Sequence, residues 1–111
     1  MIEATIIKYL NDNLDVPCYA EHQANEPASF CIIEKTGSSE VDFIEQATIA
    51  IQSYGSSLLE ACKLNDQVKQ AMRNIVALNE ISDCSLNSDY NYTDQDTKRY
   101  RYQAIFDVIG E

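Results

Sequence analysis

The sequence predicts an α+β fold, with a mainly antiparallel β-sheet, two helices packed on one face, and the order α-β-β-β-α-β-β. Three observations support this fold class. Apolar residues recur at helical spacing in two segments. In the segments between and after these two predicted helices, apolar and polar residues alternate as they do in strands. Short links between neighbouring strands permit hairpins. The 111 residues are expected to form a single domain, residues 1–111, without internal repeats or linkers.

Both predicted helices have recognisable boundaries. Apolar side chains repeat at helical spacing over residues 2–10, and the polar cluster at residues 11–15 is expected to end this first helix. The second helix begins at a capping box, in which the Ser57 oxygen accepts the N–H of Glu60 and the glutamate returns to the N–H of Ser57. Its apolar spacing predicts that it continues to about Leu78.

Two strands are predicted between the first helix and the middle of the chain. The first covers residues 16–20, where Pro17 suits a strand start or a sheet edge because proline has no N–H for the ladder. A polar loop at residues 21–28 follows. The second strand covers residues 29–35, and residues 36–39 are expected to form the turn that closes it.

The clearest strand pattern covers residues 43–54, whose alternate side chains should point to opposite faces of a sheet. One set is apolar and is expected to face the core: Phe43, Ala47, Ile49 and Ile51. The other set is uncharged and is expected to face solvent or a neighbouring molecule: Gln46, Thr48, Ala50, Gln52 and Tyr54. Gly55 is expected to end the strand.

The last two strands are predicted over residues 81–92 and 98–109, with a turn between them. The first has a weaker alternation that sets four side chains on one side: Cys84, Leu86, Tyr90 and Tyr92. In the second, the side chains expected to face the core are Tyr100, Tyr102, Ala104, Phe106 and Val108. The opposite side carries Arg99, Arg101, Gln103 and Asp107, so both arginines are expected to be exposed.

The charge balance disfavours two classes of partner. Eight Lys and Arg residues stand against eighteen Asp and Glu, for a formal net charge of -10. A protein that binds nucleic acid needs a cationic surface, and anionic membranes have the same requirement, so neither is expected as a partner. The chain has no apolar run near the roughly 20 residues needed to cross a bilayer, and its first residues do not have the pattern of a secretory signal.

The four cysteines lie at positions 18, 31, 62 and 84 and form no CxxC pair, and His22 has no cysteine within three residues of it. We therefore expect neither a metal site nor a cofactor. Each cysteine lies in an apolar-patterned segment, which favours reduced, buried thiols in a cytosolic protein.

No catalytic constellation stands out, and the chain is not expected to be an enzyme. A Cys–His pair or a serine triad would have to use His22, which lies in a predicted polar loop. Three dispersed glycines do not make a phosphate-binding loop. Asp94 and Asp96 fit an Asx turn better than a calcium loop. A pair of catalytic carboxylates is the least favoured hypothesis, since no pair is singled out.

Two features suggest contacts with other proteins. The segment 98–102 concentrates basic and aromatic residues, and we select Arg99 and Arg101 because Arg and Tyr are enriched at interface hot spots. The uncharged side of the 43–54 strand supplies the other candidates: Gln46, Thr48, Gln52 and Tyr54. A solvated sheet face explains both features about equally well.

Three stretches, residues 27–37, 47–61 and 99–107, together with the element order, resemble the tail-terminator and tail-completion proteins of long-tailed bacteriophages. These proteins are also described as minor capsid or head–tail joining proteins. The resemblance implies a small α+β subunit that forms a ring, usually a hexamer, on the finished tail tube. Such a ring stops tube polymerisation and presents a surface to the head connector. No individual functional residue is implied.

The leading hypothesis is therefore a structural phage or prophage protein of the head–tail interface of the virion, present in the host cytoplasm during assembly. Its expected partners are other copies of itself, the tail-tube protein and the head connector proteins. A connector-stopper protein that joins head and tail is one alternative. Another is a non-phage α+β module that binds a peptide by strand addition at a sheet edge.

Overall fold

The computed structural model describes residues 1–110, which form two helices and one five-stranded sheet. The helices are α1 (Ile2–Asn13) and α2 (Leu58–Arg73), and a 3₁₀ turn (Ile75–Ala77) follows α2. The strands are β1 (Cys18–Tyr19), β2 (Phe30–Val41), β3 (Ile44–Tyr54), β4 (Ile81–Asn91) and β5 (Arg101–Gly110). Their order in the sheet is β1-β2-β3-β5-β4, and β1 alone pairs in parallel. The predicted α+β class and element order are confirmed.

Both helices pack on the same face of the sheet and bury one apolar core against it. The helices contribute Ile2, Ile6, Leu10, Leu64, Val68 and Met72. The sheet contributes Cys31, Ile33, Ala47, Ile49, Ile51, Ala104, Phe106 and Val108. The predicted core side of β3 is thus confirmed from Ala47 to Ile51. Within the described residues, neither helix is long and apolar enough to cross a membrane.

Helix α1 continues three residues beyond its predicted end at Leu10. The polar cluster prolongs the helix because its asparagines bond back to the preceding turn. Asn11 Nδ2 donates to the Ile7 carbonyl at 3.0 Å, and Asn13 Nδ2 donates to the Tyr9 carbonyl at 2.8 Å. Asparagine side chains often compete with the backbone for hydrogen bonds and so oppose helix formation. Here the two asparagine side chains instead donate to carbonyl groups of the helix.

Helix α2 has the predicted N-cap, since the Ser57 side chain accepts the Glu60 N–H at 3.1 Å. The Glu60 carboxylate lies 3.8 Å from Lys63 Nζ, on the helix surface, rather than completing the reciprocal half of the capping box. The helix ends at Arg73, before the predicted Leu78, and the chain tightens into the 3₁₀ turn. A shift from α to 3₁₀ bonding at a helix end is common.

The hairpin between β2 and β3 is longer than predicted. Residues 36–39 do not form a turn, because a register shift between Lys35 and Gly37 absorbs this segment into β2. The turn is instead Asp42-Phe43, with φ of 52° and 68°. Two successive positive φ angles are typical of the type I′ turn that suits the twist of a hairpin. Phe43, expected in the core, is 89% exposed.

A second irregularity changes the face of a predicted strand residue. In β4 the register shifts between Leu86, which pairs with Phe106, and Ser88, which pairs with Ile105. Tyr90 therefore lies on the face opposite to Cys84 and Leu86, and the prediction that they share one face was wrong. A bulge inserts one residue, and the side-chain alternation is inverted beyond it.

Strand β5 begins at Arg101 and not at residue 98, because the chain first makes a compact turn. Lys98 has a φ of 53°, and a bridge between Asp94 and Arg99 closes the turn. The Asp94 carboxylate accepts the N–H of Asp96 at 2.9 Å, which is the predicted Asx-turn geometry.

Gly55 provides a test of how β3 meets α2. A Cβ at this position would lie 2.5 Å from the Ala61 nitrogen and 2.9 Å from the Glu60 carbonyl carbon. We expect Gly55→Ala to lower the free energy of unfolding by about 2 kcal/mol, because backbone atoms must move. Gly37→Ala is the matched control, since a Cβ there meets no atom within 4 Å. It should change stability by at most about 1 kcal/mol in denaturant unfolding. Equal effects would contradict the argument.

All four cysteines are free thiols in the structure. Cys18 and Cys31 are paired residues of the parallel ladder, and the neighbouring Cys18 thiol together with burial raises the pKa of Cys31 well above its ordinary value. Burial also raises the pKa of Cys84 to about 11. Such thiols stay protonated near neutral pH and are poor nucleophiles.

We therefore expect four free thiols when unfolded, non-reduced protein is titrated with a thiol reagent. A matched sample that has been fully reduced gives the reference count. A count of two would reveal a disulfide, and Cys18 with Cys31 would be the first pair to examine because they are directly opposed in the ladder.

Candidate functional site

The sheet has a second face, opposite the helices, which we call the open face because no helix among residues 1–110 covers it. From β3 it presents Gln46, Thr48, Ala50, Gln52 and Tyr54, the side predicted to face outward. From β5 it presents Arg101, Gln103, Ile105, Asp107 and Ile109, which pair with the β3 residues in register. All six candidate contact residues lie on this face or at its end. Their role in contacts stays a prediction.

One end of the open face is built on a stacked aromatic pair. Phe30 of β2 and Tyr54 of β3 are cross-strand partners, and their rings stack with centroids 4.5 Å apart and an interplanar angle of 7°. Cross-strand aromatic pairs stabilise a sheet beyond the area they bury. Tyr54 was predicted to be an outward-facing residue, yet it is only 3% exposed because other groups cover it.

The loop of residues 20–29 supplies part of that cover. The His22 ring meets the Tyr54 ring edge-on at 5.4 Å and the Phe30 ring at 5.9 Å. Its Nε2 atom lies 3.3 Å from the Tyr54 hydroxyl, and its Nδ1 atom lies 2.7 Å from the Glu26 carboxylate. The loop therefore folds over the sheet and is held there by the Nε2 contact and the two ring contacts, while the Nδ1 contact joins two residues of the loop itself.

Arg99 also covers this aromatic pair. Its guanidinium carbon lies 5.0 Å from the Tyr54 ring centroid and 5.8 Å from that of Phe30. Its Nη2 atom donates to Glu26 at 3.1 Å. A guanidinium over an aromatic face gains from both cation–π attraction and stacking. Glu26 therefore links the loop to the segment before β5.

Arg101 is fixed by three groups. Its Nη1 donates to the Tyr54 hydroxyl at 2.9 Å, and its Nε donates to the Tyr92 carbonyl at 2.7 Å. Its guanidinium carbon also lies 4.5 Å from the Tyr92 ring centroid. We call this assembly the basic–aromatic cluster, and it consists of His22, Glu26, Phe30, Tyr54, Tyr92, Arg99 and Arg101.

The cluster changes the interpretation of the two arginines. The sequence predicted that both side chains are exposed, and the structure shows Arg99 exposed and Arg101 half-buried. Both have partners within their own chain, so their replacement tests the fold as well as any contact. Because these two side chains are already ordered, binding a partner costs little additional side-chain conformational entropy.

The rest of the open face is mostly uncharged. Gln52 donates to Gln103 at 2.9 Å, and Gln103 donates to the Tyr90 hydroxyl at 2.6 Å, which gives a neutral hydrogen-bonded row across three strands. Thr48 lies six residues from Tyr54 along β3, roughly 20 Å away. Gln46 and Thr48 line a cavity of about 400 Å³ that is separate from the cluster. Three of the six candidates thus belong to the cluster and two to this cavity, while Gln52 lies in the row between them.

The structure offers no metal centre within residues 1–110, where no three His, Cys, Asp or Glu side chains are grouped to hold an ion. No protein-family model matches the sequence, and no curated protein matches it. The interpretation of the open face therefore depends on its own geometry.

Sequence reasoning missed four members of the cluster: His22, Glu26, Phe30 and Tyr92. The first two were assigned to a polar loop, Phe30 to the strand of residues 29–35, and Tyr92 to the strand of residues 81–92. The one available signal was the spacing of four residues between His22 and Glu26, which is uninformative without knowing that the loop crosses the aromatic pair.

Glu26 gives the cluster a testable pH dependence. Burial opposes ionisation of this carboxyl, but the Gln23 N–H, His22 and Arg99 together hold its pKa below its ordinary value of 4.5. A lowered folded-state pKa adds stability that is present above pH 4.5 and is lost as the pH falls towards the folded-state value. Glu26→Gln should therefore cost about 1 kcal/mol at neutral pH, and the cost should shrink below pH 4.5.

Chemical denaturation at a series of pH values measures this difference. The control is Glu21→Gln, an exposed carboxyl in the same loop, which should leave the stability nearly unchanged across the series. A constant difference between the natural chain and Glu26→Gln at all pH values would contradict the ionic role of Glu26.

Proposed function

We propose that this chain is a structural subunit of a long-tailed phage or prophage that forms a ring, usually a hexamer, on the end of the tail tube. The ring stops tube growth and presents a surface to the head connector. Two things support the proposal: the resemblance of three sequence stretches to tail-terminator and tail-completion proteins, and the character of the open face.

The observation that carries the proposal is a complete sheet face that no described helix covers and that ends in an ordered basic–aromatic cluster. The centres of protein–protein interfaces are depleted of charged residues. The row of Gln52, Gln103 and Tyr90 on the open face is likewise uncharged. Hot spots of binding are enriched in Tyr and Arg, and Tyr54, Arg99 and Arg101 are held together at one end of this face.

The mechanism of such a cap is geometric and forms no covalent bond. A tail tube is an open stack whose end offers the same surface after each added ring, so the tube subunit alone cannot stop growth. A terminator binds that end and presents a different surface outward. Identical subunits joined by heterologous contacts close into a ring when the rotation between neighbours closes. A net charge of -10 keeps free subunits from random association before assembly.

The alternative of peptide binding by strand addition needs a regular, accessible sheet edge. The edge strand β4 has register shifts between Ile81 and Asp83 and between Leu86 and Ser88. Its exposed residues also include the carboxylate of Asp83. Bulges and charges are the features by which proteins prevent further strand pairing. The open face is therefore favoured over this edge as the contact surface.

Removal of the gene from the phage genome tests the proposed function. We expect filled heads without tails, together with free tails of which some are abnormally long, because nothing stops the tube. Electron microscopy of the lysate measures tail length, and a plasmid copy of the natural gene should restore normal particles. Separated heads and tails of normal length would favour the connector-stopper alternative. Normal infectious particles without the gene would refute both roles.

A further inference from the structure

The β2–β3 hairpin ends in an exposed apolar tip, which we define as residues 40–45. Val41, Phe43 and Ile44 are 66%, 89% and 45% exposed. Phe43 also adopts a φ of 68°, in the left-handed region that glycine or asparagine occupies at lower cost. A bulky aromatic residue in this conformation, fully exposed to water, contributes nothing evident to the fold.

The hairpin tip and the basic–aromatic cluster lie at opposite ends of the molecule. Val41 pairs with Ile44 at one end of the hairpin, and Phe30 pairs with Tyr54 at the other. The eleven residues of β3 span about 36 Å at 3.3 Å per residue, and the molecule is 44 Å along its longest axis. Any contact between these two ends must therefore join different copies of the chain.

A groove beside the cluster has the size and lining for one side chain of the tip. It has a volume of about 290 Å³ and is lined by aromatic side chains, including Phe30, Tyr54 and Tyr100, and by the cations Lys98 and Arg99. No carboxylate belongs to this described lining. The volume lies at the lower limit of small-molecule pockets, which begin at about 300 Å³, and suits a single side chain.

The charges of the two ends are complementary. The hairpin tip carries Glu40 and Asp42, while Glu45 at its base is paired with Lys35 at 2.9 Å. The groove carries Lys98 and Arg99, of which Arg99 is already paired with Glu26 at 3.1 Å, so Lys98 supplies the positive charge that can meet the tip. Asp94 lies in the turn before this lining, and its carboxylate already accepts hydrogen bonds from the N–H groups of Asp96 and Thr97. Two tips would repel each other, so the tip is suited to a groove and not to a second tip.

We propose that the hairpin tip of one copy inserts Phe43 into this groove of the next copy, with Glu40 and Asp42 facing Lys98. The inference rests on the ring assembly proposed above and names its contact. The contact is heterologous, because it joins different patches of identical subunits, which is the type of interface that a closed ring needs. It also accounts for an aromatic residue kept in a strained and exposed turn.

Directed cross-linking tests the contact. In a Cys62→Ser, Cys84→Ser background, one preparation carries Glu40→Cys in the tip and the other carries Ser56→Cys at the groove. The two are mixed in equal amounts at up to roughly 0.5 mM and mildly oxidised. We expect the mixed disulfide at least fivefold above either preparation alone, identified by peptide mass spectrometry. Equal yields of tip-to-tip dimers, or no cross-link above background, would overturn the inference.

A second variant separates lost contact from lost folding. Asp42→Asn with Phe43→Gly places the preferred type I′ sequence in the turn, so the thermal midpoint should stay the same or rise. The cross-link should nevertheless fall to background in this variant. Leu86→Ala removes another exposed apolar side chain from the middle of the sheet, where Leu86 pairs with Phe106 and Phe106 with Ile49, and should leave the cross-link unchanged. Full cross-linking without Phe43 would show that its insertion is not the contact.

The two proposals fail in different ways. If the gene deletion gives the expected tail defect but the cross-link is absent, the function stands and the hairpin contact falls. If the cross-link forms but phage without the gene are normal, the contact stands and the tail-capping function falls.

Discussion

Strand β3 is the constraint on which the rest of the molecule depends. It lies at the centre of the sheet and is bonded to β2 on one edge and to β5 on the other. Its side chains alternate between the helix-covered core and the open face. A slip of one residue would exchange Ile49 and Ile51 for Ala50 and Gln52 in the core, so both the core and the open face depend on one register.

The sequence was sufficient to predict features that depend on local periodicity and capping. The alternation of Ala47, Ile49 and Ile51 and the Ser57 cap lie in this class, and so does the element order. The length of the hairpin was not predictable, because Gly37 is consistent with either a turn or a bulge. The actual turn, Asp42-Phe43, lacks the glycine by which such turns are usually recognised. The bulge in β4 likewise leaves no clear mark in the sequence.

The candidate site was predictable only in part, for a related reason. Arg99, Arg101 and Tyr54 stand out by residue type and by strand parity, and the structure does bring them together. His22 and Glu26 reach the cluster through the path of a loop, which is set by stacking on Phe30 and Tyr54 from distant strands. Long-range packing of this kind cannot be read from the loop's own composition. It also converts apparently free arginines into ordered ones, and ordered side chains are better suited to recognition.

Buried apolar side chains lie on both faces of the sheet. The main core lies between the helices and one face, and a smaller cluster of Phe30, Ile32 and Tyr54 lies on the open face beside the groove. In a ring joined through the tip and the groove, each subunit contacts its two neighbours through its two ends, which lie at opposite ends of the strands. The helix-covered face and the open face then point in different directions. A cap needs two such dissimilar surfaces, because one must meet the tube and the other must not offer the tube subunit a further place to bind.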